Sequence, residues 1–182
     1  MNEEDPKREQ ALVKEGSKLV YRGEIFSVRK ETFQYADGSR STREVVVHPG
    51  AVCIIPHDGN VLYMVEQPRE AVEEPALLEL PAGKLDVEGE TPLQCAQREL
   101  AEEIGKSAGD WRELKSFYTS PGFTNERVWL FLATELYDTP ERRHTDERIE
   151  IVEYPLERLD EVTERCEDAE SLIGLMTLKQ LL

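Results

Sequence analysis

The stretch from Gly83 to Gly105 reads GKLDVEGETPLQCAQRELAEEIG and decides the fold of this chain. Thr91 is a favourable helix N-cap, Pro92 suits the first helical position, and Gln94 completes a capping box three residues after Thr91. Gly105 stands where such a helix is expected to end. The stretch therefore predicts a loop followed by one strongly defined helix.

The predicted helix has an apolar face and an acidic face. Its apolar residues recur at helical spacing, so we expect them to face the core with Cys95 or Ala101 beside them; they are Leu93, Ala96, Leu100 and Ile104. Glu99 precedes Glu102 by three residues and Glu103 by four, so the three carboxylates can share one face. In a chain this acidic, an acidic helix face is ordinarily just a solvated surface. The three carboxylates repel one another, however, and a bound divalent cation would remove that repulsion. Carboxylate oxygens suit Mg²⁺, with Mn²⁺ as a substitute.

The residues around these carboxylates resemble the Nudix box. Gly83 and Glu90 are followed, after seven further residues, by the run Arg98-Glu-Leu-Ala-Glu-Glu-Ile-Gly105. Two positions depart from the usual pattern. Six residues rather than five separate Gly83 from Glu90, and Lys106 replaces an apolar residue. Neither departure removes a predicted metal ligand.

The resemblance implies a Mg²⁺-dependent pyrophosphohydrolase and assigns roles to particular residues. Glu90 would brace the motif by binding Arg98 or the loop. The implied metal ligands are the Ala82 carbonyl, Glu99, Glu103 and, from a later loop, Glu147. The implied catalytic residues are Arg98, Glu102, Glu103 and Glu147. Clustered divalent ions suit pyrophosphate hydrolysis, because they neutralise phosphate oxygens and activate water.

The remaining pattern predicts an α/β protein, a Nudix α/β/α sandwich with a mixed sheet. Residues 1 to about 16 are polar and predict a frayed end or a marginal helix. Strand-like runs at residues 19–21, 25–35 and 42–47, with an Asp37-Gly38 turn, predict a small N-terminal antiparallel segment. Further strands are expected at residues 51–55, 61–65, 77–80, 113–119, 128–136 and 149–154, and helices at 156–166 and 169–182. We therefore expect an N-terminal segment at residues 1–48 and a hydrolase domain at residues 49–182.

Features outside the box resemble the ADP-ribose pyrophosphatase subfamily. The run Ser120-Pro-Gly-Phe-Thr-Asn-Glu126 is similar to its downstream proline segment, although an ordinary Pro-Gly turn would read the same. Glu66-Gln-Pro-Arg69 is similar to its Glu-Gln-x-Arg, whose arginine contacts phosphate. The N-terminal strands resemble its extra domain, which forms a homodimer and walls off the adenosine pocket. The substrate-binding residues implied are Arg69, Arg43, Pro121, Phe123, Glu126 and Phe26, with Tyr21 as an alternative aromatic; a core role fits both aromatics as well.

The run Thr145-Asp-Glu-Arg-Ile-Glu150 occupies the place of the subfamily's acidic, mobile loop. That loop brings in a glutamate that binds metal or activates water. Glu147 is the first choice, and Glu150 and Asp146 are alternatives.

Composition limits the remaining functions. A chain of 182 residues fits one catalytic domain with an appendage, and its net charge of −16 argues against nucleic-acid partners. Cys53, Cys95 and Cys166 form no Cys-x-x-Cys pair and are predicted to be reduced and packed. No signal peptide or membrane-length apolar run is visible, so we expect a cytoplasmic protein with no membrane partner.

The predicted reaction converts ADP-ribose into AMP and ribose 5-phosphate. One alternative is hydrolysis of another nucleoside diphosphate sugar, such as ADP-glucose or GDP-mannose. A second, from a different class, is a Nudix-like module that senses a nucleotide without hydrolysing it. The acidic surface disfavours a third, a decapping or RNA-processing enzyme.

Overall fold

The computed structural model of the protein describes residues 12–139 and 148–182. The strands and α-helices of these ranges, in chain order, are β1 (Leu12–Arg22), β2 (Ser27–Tyr35), β3 (Arg40–Val47), β4 (Ala51–Pro56), β5 (Val61–Arg69), β6 (Glu74–Glu79), β7 (Ala82–Lys84), α1 (Pro92–Ile104), β8 (Lys106–Tyr118), β9 (Arg127–Asp138), β10 (Glu150–Pro155), α2 (Leu159–Arg165) and α3 (Ala169–Lys179). They divide into two compact units. The first contains β1 to β3 together with Ser120–Glu126, and the second contains the other elements.

The first unit is an antiparallel sheet in the order β1-β2-β3. The predicted turn between β2 and β3 is present: Gly38 has a φ of 82°, and the Asp37 carboxylate accepts the Ser39 amide hydrogen at 2.9 Å. The expectation of a frayed or helical end was wrong for residues 12–16, because Leu12 already pairs with Tyr35 as part of β1.

The segment Ser120–Glu126 lies along the end of β3 in this unit. The Val46 amide donates to the Phe123 carbonyl at 2.8 Å, and the Asn125 amide donates to the Val46 carbonyl at 3.2 Å. The Asn125 side chain also accepts the His48 amide hydrogen at 2.9 Å. The proline segment is therefore held by backbone hydrogen bonds.

The second unit confirms the α/β sandwich. It contains the expected mixed sheet, which has four strands in the order β7-β4-β9-β8, and a separate three-stranded sheet in the order β10-β5-β6. β4 and β9 run parallel, and the other neighbours run antiparallel. Ala82–Lys84, expected as loop, forms β7 because it pairs with β4.

All six residues of β4 are buried, and successive side chains enter different cores. Val52 and Ile54 pack with the buried side of α1, in what we call the α1 core. Cys53 and Ile55 pack with α2 and α3, in what we call the α3 core. The sheet layer is thus covered by helices on both faces.

Helix α1 has the predicted ends. Thr91 and Gln94 form the capping box, and Gly105 ends the helix in the left-handed conformation, with a φ of 67°. The prediction for Leu93 was wrong: it lies in the first turn and is 38% exposed, while Cys95 and Ala101 join the buried face instead.

Candidate active site

Arg98 joins three carboxylates at the base of the acidic face of α1. Its Nε and Nη2 atoms donate to the two carboxylate oxygens of Glu90 at 2.9 and 3.0 Å. Its Nη1 donates to Glu99 Oε1 at 2.8 Å and to Glu102 Oε2 at 2.9 Å. The pKa of Arg98 is raised, first by the hydrogen bonds to Glu90 and then by Glu99 and Glu102. The hydrogen bonds from Arg98 also lower the pKa of Glu90, so Arg98 and Glu90 form a charged, charge-assisted pair.

Strand β7 lies directly against two glutamates of α1, Glu99 and Glu103. The Ala82 amide donates to Glu103 Oε2 at 3.1 Å, and Glu103 is only 5% exposed. Glu99 packs on Gly83 so closely that a Cβ atom at residue 83 would lie 2.0 Å from its carboxyl carbon. Contacts with β7 therefore hold the Glu99 and Glu103 carboxylates in place.

The chemistry of this donor set fits Mg²⁺. The candidate metal ligands are the carboxylates of Glu99, Glu102 and Glu103 on α1 and the backbone carbonyl of Ala82 on β7, and all of these are hard oxygen atoms. Within residues 12–139 and 148–182, no three Asp, Glu, His or Cys side chains close around one point as a complete metal cage. A bound Mg²⁺ ordinarily takes several ligands from water and substrate phosphates, which an incomplete protein cage leaves room for.

Arg69 is held by Glu79, a residue that the sequence analysis did not single out. Its guanidinium donates to both oxygens of Glu79, at 2.8 and 2.7 Å, and Gln67 donates to the same carboxylate at 2.8 Å. The hydrogen bonds to Glu79 raise the pKa of Arg69, and the negative charge of Glu103 raises it further. A charge inside the apolar run Leu77-Leu-Glu-Leu80 is the signal that would have indicated a buried partner.

Two of the three acidic residues considered for the late loop lie outside the described residues, namely Asp146 and Glu147. Glu150 begins β10 and pairs with Glu66 of β5. Ile151 belongs to the α1 core, whereas Val152 and Tyr154 belong to the α3 core. Because side chains alternate along a strand, Glu150 shares the face of the α3 core, away from α1.

In the first unit, Phe26 and Tyr21 are exposed rather than in a core, at 41% and 55%. Their rings lie 6.2 Å apart beside a surface depression of about 610 Å³ formed by residues 21–26. Arg43 is exposed on β3, and its Nη1 donates to the Thr42 carbonyl at 2.9 Å.

The proline segment carries three further predicted substrate-binding residues, namely Pro121, Phe123 and Glu126. Pro121 is exposed, and Phe123 is 58% exposed. Glu126 Oε1 lies 3.1 Å from His48 Nδ1, a partner that the sequence analysis missed. His48 directly follows β3, and its pairing with the segment depends on the fold rather than on a local pattern.

No helix of the described ranges is long and apolar enough to cross a membrane. The NUDIX domain model matches residues 47–173 of the chain. An ADP-ribose pyrophosphatase of Bacillus subtilis is 38% identical over 165 residues, covering 88% of each protein. An ADP-ribose pyrophosphatase of Mycobacterium tuberculosis is 41% identical over 143 residues, covering 77% of this chain and 69% of the relative. A crystal structure of an ADP compounds hydrolase has a similar fold, with a TM-score of 0.82, 24% identity and 95% of each chain covered.

Proposed function

The chain belongs to the NUDIX family of pyrophosphohydrolases, and from that premise we propose that it hydrolyses ADP-ribose to AMP and ribose 5-phosphate. The observation that carries the reaction class is the cluster of Glu99, Glu102 and Glu103 on α1, where Arg98 bonds the first two and the Ala82 amide of β7 bonds the third. The choice of ADP-ribose is supported by two relatives of that activity, each similar over most of this chain.

The proposed metal-holding groups are Glu99, Glu103 and the Ala82 carbonyl, with Mg²⁺ as the natural ion and Mn²⁺ as a substitute. When bound, the ions neutralise the diphosphate oxygens and make water a better nucleophile. Arg98 keeps Glu99 and Glu102 in place through hydrogen bonds. The Ala82 amide orients the Glu103 carboxylate. These contacts preorganise the site before substrate arrives.

The second group of proposed residues binds the substrate or assists catalysis from the acidic loop at residues 145–150. Arg69 has the planar donor pattern that suits a diphosphate, and Glu79 holds its guanidinium in one orientation. The other proposed substrate contacts are Arg43, Pro121, Phe123, Glu126 and Phe26. Glu147, outside the described residues, is proposed as the late glutamate; the face on which Glu150 lies disfavours that alternative.

We also propose a cytoplasmic homodimer that forms through the first unit and has neither nucleic-acid nor membrane partners. β1 supports the dimer because all eleven of its residues are exposed, including the large apolar side chains of Leu12, Val13, Val20 and Tyr21. Long apolar edge strands tend to find a partner. Light scattering on purified protein tests the dimer, and a monomer at micromolar concentration would contradict it.

A screen of nucleoside diphosphate sugars with Mg²⁺ tests the substrate. Each product is treated with phosphatase, and the released phosphate is measured over time. ADP-ribose is expected to be turned over fastest. Comparable rates on ADP-glucose and GDP-mannose would contradict the choice of ADP-ribose and leave the reaction class standing. Tight ADP-ribose binding with no phosphate release would favour the sensing module.

A further inference from the structure

Ser171 on α3 binds Leu80, which lies in the short connection between β6 and β7. The residue is 1% exposed, and its Oγ accepts the Leu80 amide hydrogen at 2.7 Å. The same hydroxyl donates to Asp168 Oδ2 at 2.7 Å. An amide can only donate and a carboxylate can only accept, so one orientation of the hydroxyl satisfies both partners.

Gly174, one turn further along α3, receives the side chain of the same leucine. A Cβ atom at residue 174 would lie 2.4 Å from Leu80 Cδ1, and Leu80 is fully buried. Ser171 therefore holds the backbone of Leu80, while Gly174 leaves room for its side chain. Two independent features of α3 fix the position of one loop residue.

Leu80 is joined to the proposed metal-holding groups through a short and rigid stretch of backbone. Only Pro81 separates Leu80 from Ala82, and the proline ring fixes its own φ. The Pro81 carbonyl accepts the Ile54 amide hydrogen at 2.9 Å, which ties it to β4. The Ala82 amide then donates to Glu103. A displacement of Leu80 must therefore move Ala82 relative to Glu103 or break one of these bonds.

We propose that Ser171 is a positioning residue for the metal site, acting through Leu80 and Pro81 on the Ala82 backbone and the Glu103 carboxylate. The proposal rests on the proposed function, since it takes Ala82 and Glu103 as metal-holding groups. It assigns to the C-terminal helix a role in metal affinity that its distance along the chain, 91 residues from Leu80, would not suggest.

The test compares Mn²⁺ binding to the full-length wild type and three variants, without substrate, by electron paramagnetic resonance of free Mn²⁺. Ser171→Ala is expected to weaken Mn²⁺ binding about tenfold, as losses of outer-shell partners of metal ligands do. Ser171→Thr keeps the hydroxyl and is expected to bind like the wild type. Thr177→Ala is the matched control, because the Thr177 hydroxyl bonds only to the Ile173 carbonyl of its own helix among the described residues.

Kinetics with ADP-ribose provide a second reading. The concentration of Mg²⁺ that gives half-maximal rate should rise in Ser171→Ala, while the rate at saturating Mg²⁺ changes less. If Ser171→Ala does not fold, Ser171→Cys replaces it, since a thiol of similar size donates and accepts weakly; it too should bind Mn²⁺ more weakly.

Three outcomes would overturn the proposal in distinguishable ways. Wild-type Mn²⁺ affinity in a folded Ser171→Ala or Ser171→Cys variant would overturn the positioning role alone. A wild-type protein that binds no Mn²⁺ would overturn the metal site and the positioning role together. Weakened binding in Ser171→Thr equal to that in Ser171→Ala would also count against the hydroxyl as the cause.

Discussion

The carboxyl carbon of Glu99 lies 2.0 Å from the point that a Cβ atom would occupy at residue 83. Gly83 does not have a positive φ, so its backbone conformation does not require glycine. Glycine is therefore needed for steric reasons, because the Glu99 carboxylate of the proposed metal site occupies the space beside residue 83.

Replacing Gly83 with alanine is expected to push Glu99 aside and lower the rate at saturating Mg²⁺ by about 100-fold, the usual cost of a displacement near 1 Å in an active site. Steady-state kinetics check this. Gly16→Ala is the control, because an added Cβ there meets no atom within 4 Å. A normal rate in Gly83→Ala would show that Glu99 can move without harm.

Replacing Glu102 or Glu103 with glutamine should lower turnover at least about 100-fold, more than outer-shell changes usually cost. Binding of a non-hydrolysable ADP-ribose analogue, measured by calorimetry, should change little, since glutamine keeps the size of the side chain. Glu164→Gln, on the exposed side of α2, is the control. Unchanged turnover in both variants would contradict the proposed mechanism.

Arg98→Lys should be strongly impaired although it keeps the charge. A lysine ammonium cannot reproduce the two parallel bonds to Glu90 while also reaching Glu99 and Glu102. We expect about 2 kcal/mol lower stability, the scale of lost hydrogen bonds to charged groups, together with reduced activity. Urea unfolding and kinetics measure the two effects, and a lysine variant equal to the wild type in both would contradict the proposed role.

Asp58 should make stability depend on pH. Its carboxylate accepts the amide hydrogens of Asn60 at 2.9 Å and Val61 at 2.8 Å, and these bonds lower its pKa in the folded protein. The stabilisation is therefore present above the ordinary carboxyl pKa and is lost as the pH falls through the lowered value. Asp58→Asn should cost about 0.5 kcal/mol at pH 7, a value reduced for solvent screening, and the difference should vanish in acid. Urea unfolding across this pH range checks it; a constant difference would exclude the charge as its source.

The cysteines should be inert in the folded protein. Cys53, Cys95 and Cys166 are buried, and burial raises the pKa of each thiol, to about 12 for Cys95. Alkylation requires the thiolate, so mass spectrometry after iodoacetamide treatment at pH 8 should find none modified natively and three in denaturant. Modification of one cysteine in the folded state would reveal local opening around it.

Local patterns predicted the parts of the site that local chemistry builds. The capping box of Thr91 and Gln94, the end at Gly105 and the shared face of the three glutamates all follow from spacing within one helix. The prediction for Leu93 was wrong because periodicity does not indicate whether other residues cover the first turn of a helix. The strands were found, but their ends were set by pairing, as β8 shows by starting at Lys106 rather than at residue 113.

Long-range partners could not be predicted from spacing. Ser171 and Leu80 are 91 residues apart, and their contact exists only because α3 packs on the α3 core. Glu79 and Arg69 meet across two neighbouring strands whose register contains an irregularity, which no single-strand pattern reveals. The same holds for His48 and Glu126, which the segment following β8 brings together.

The alternation of β4 side chains between two cores has a consequence for how the second unit folds and unfolds. Val52 and Ile54 belong to one core and Cys53 and Ile55 to the other, so each core uses the same backbone as its wall. Losing either core would expose half of the side chains of a strand that has no solvent-facing side. We therefore expect the two cores to unfold together, so a change that destabilises the C-terminal helices should also destabilise the carboxylate cluster on α1.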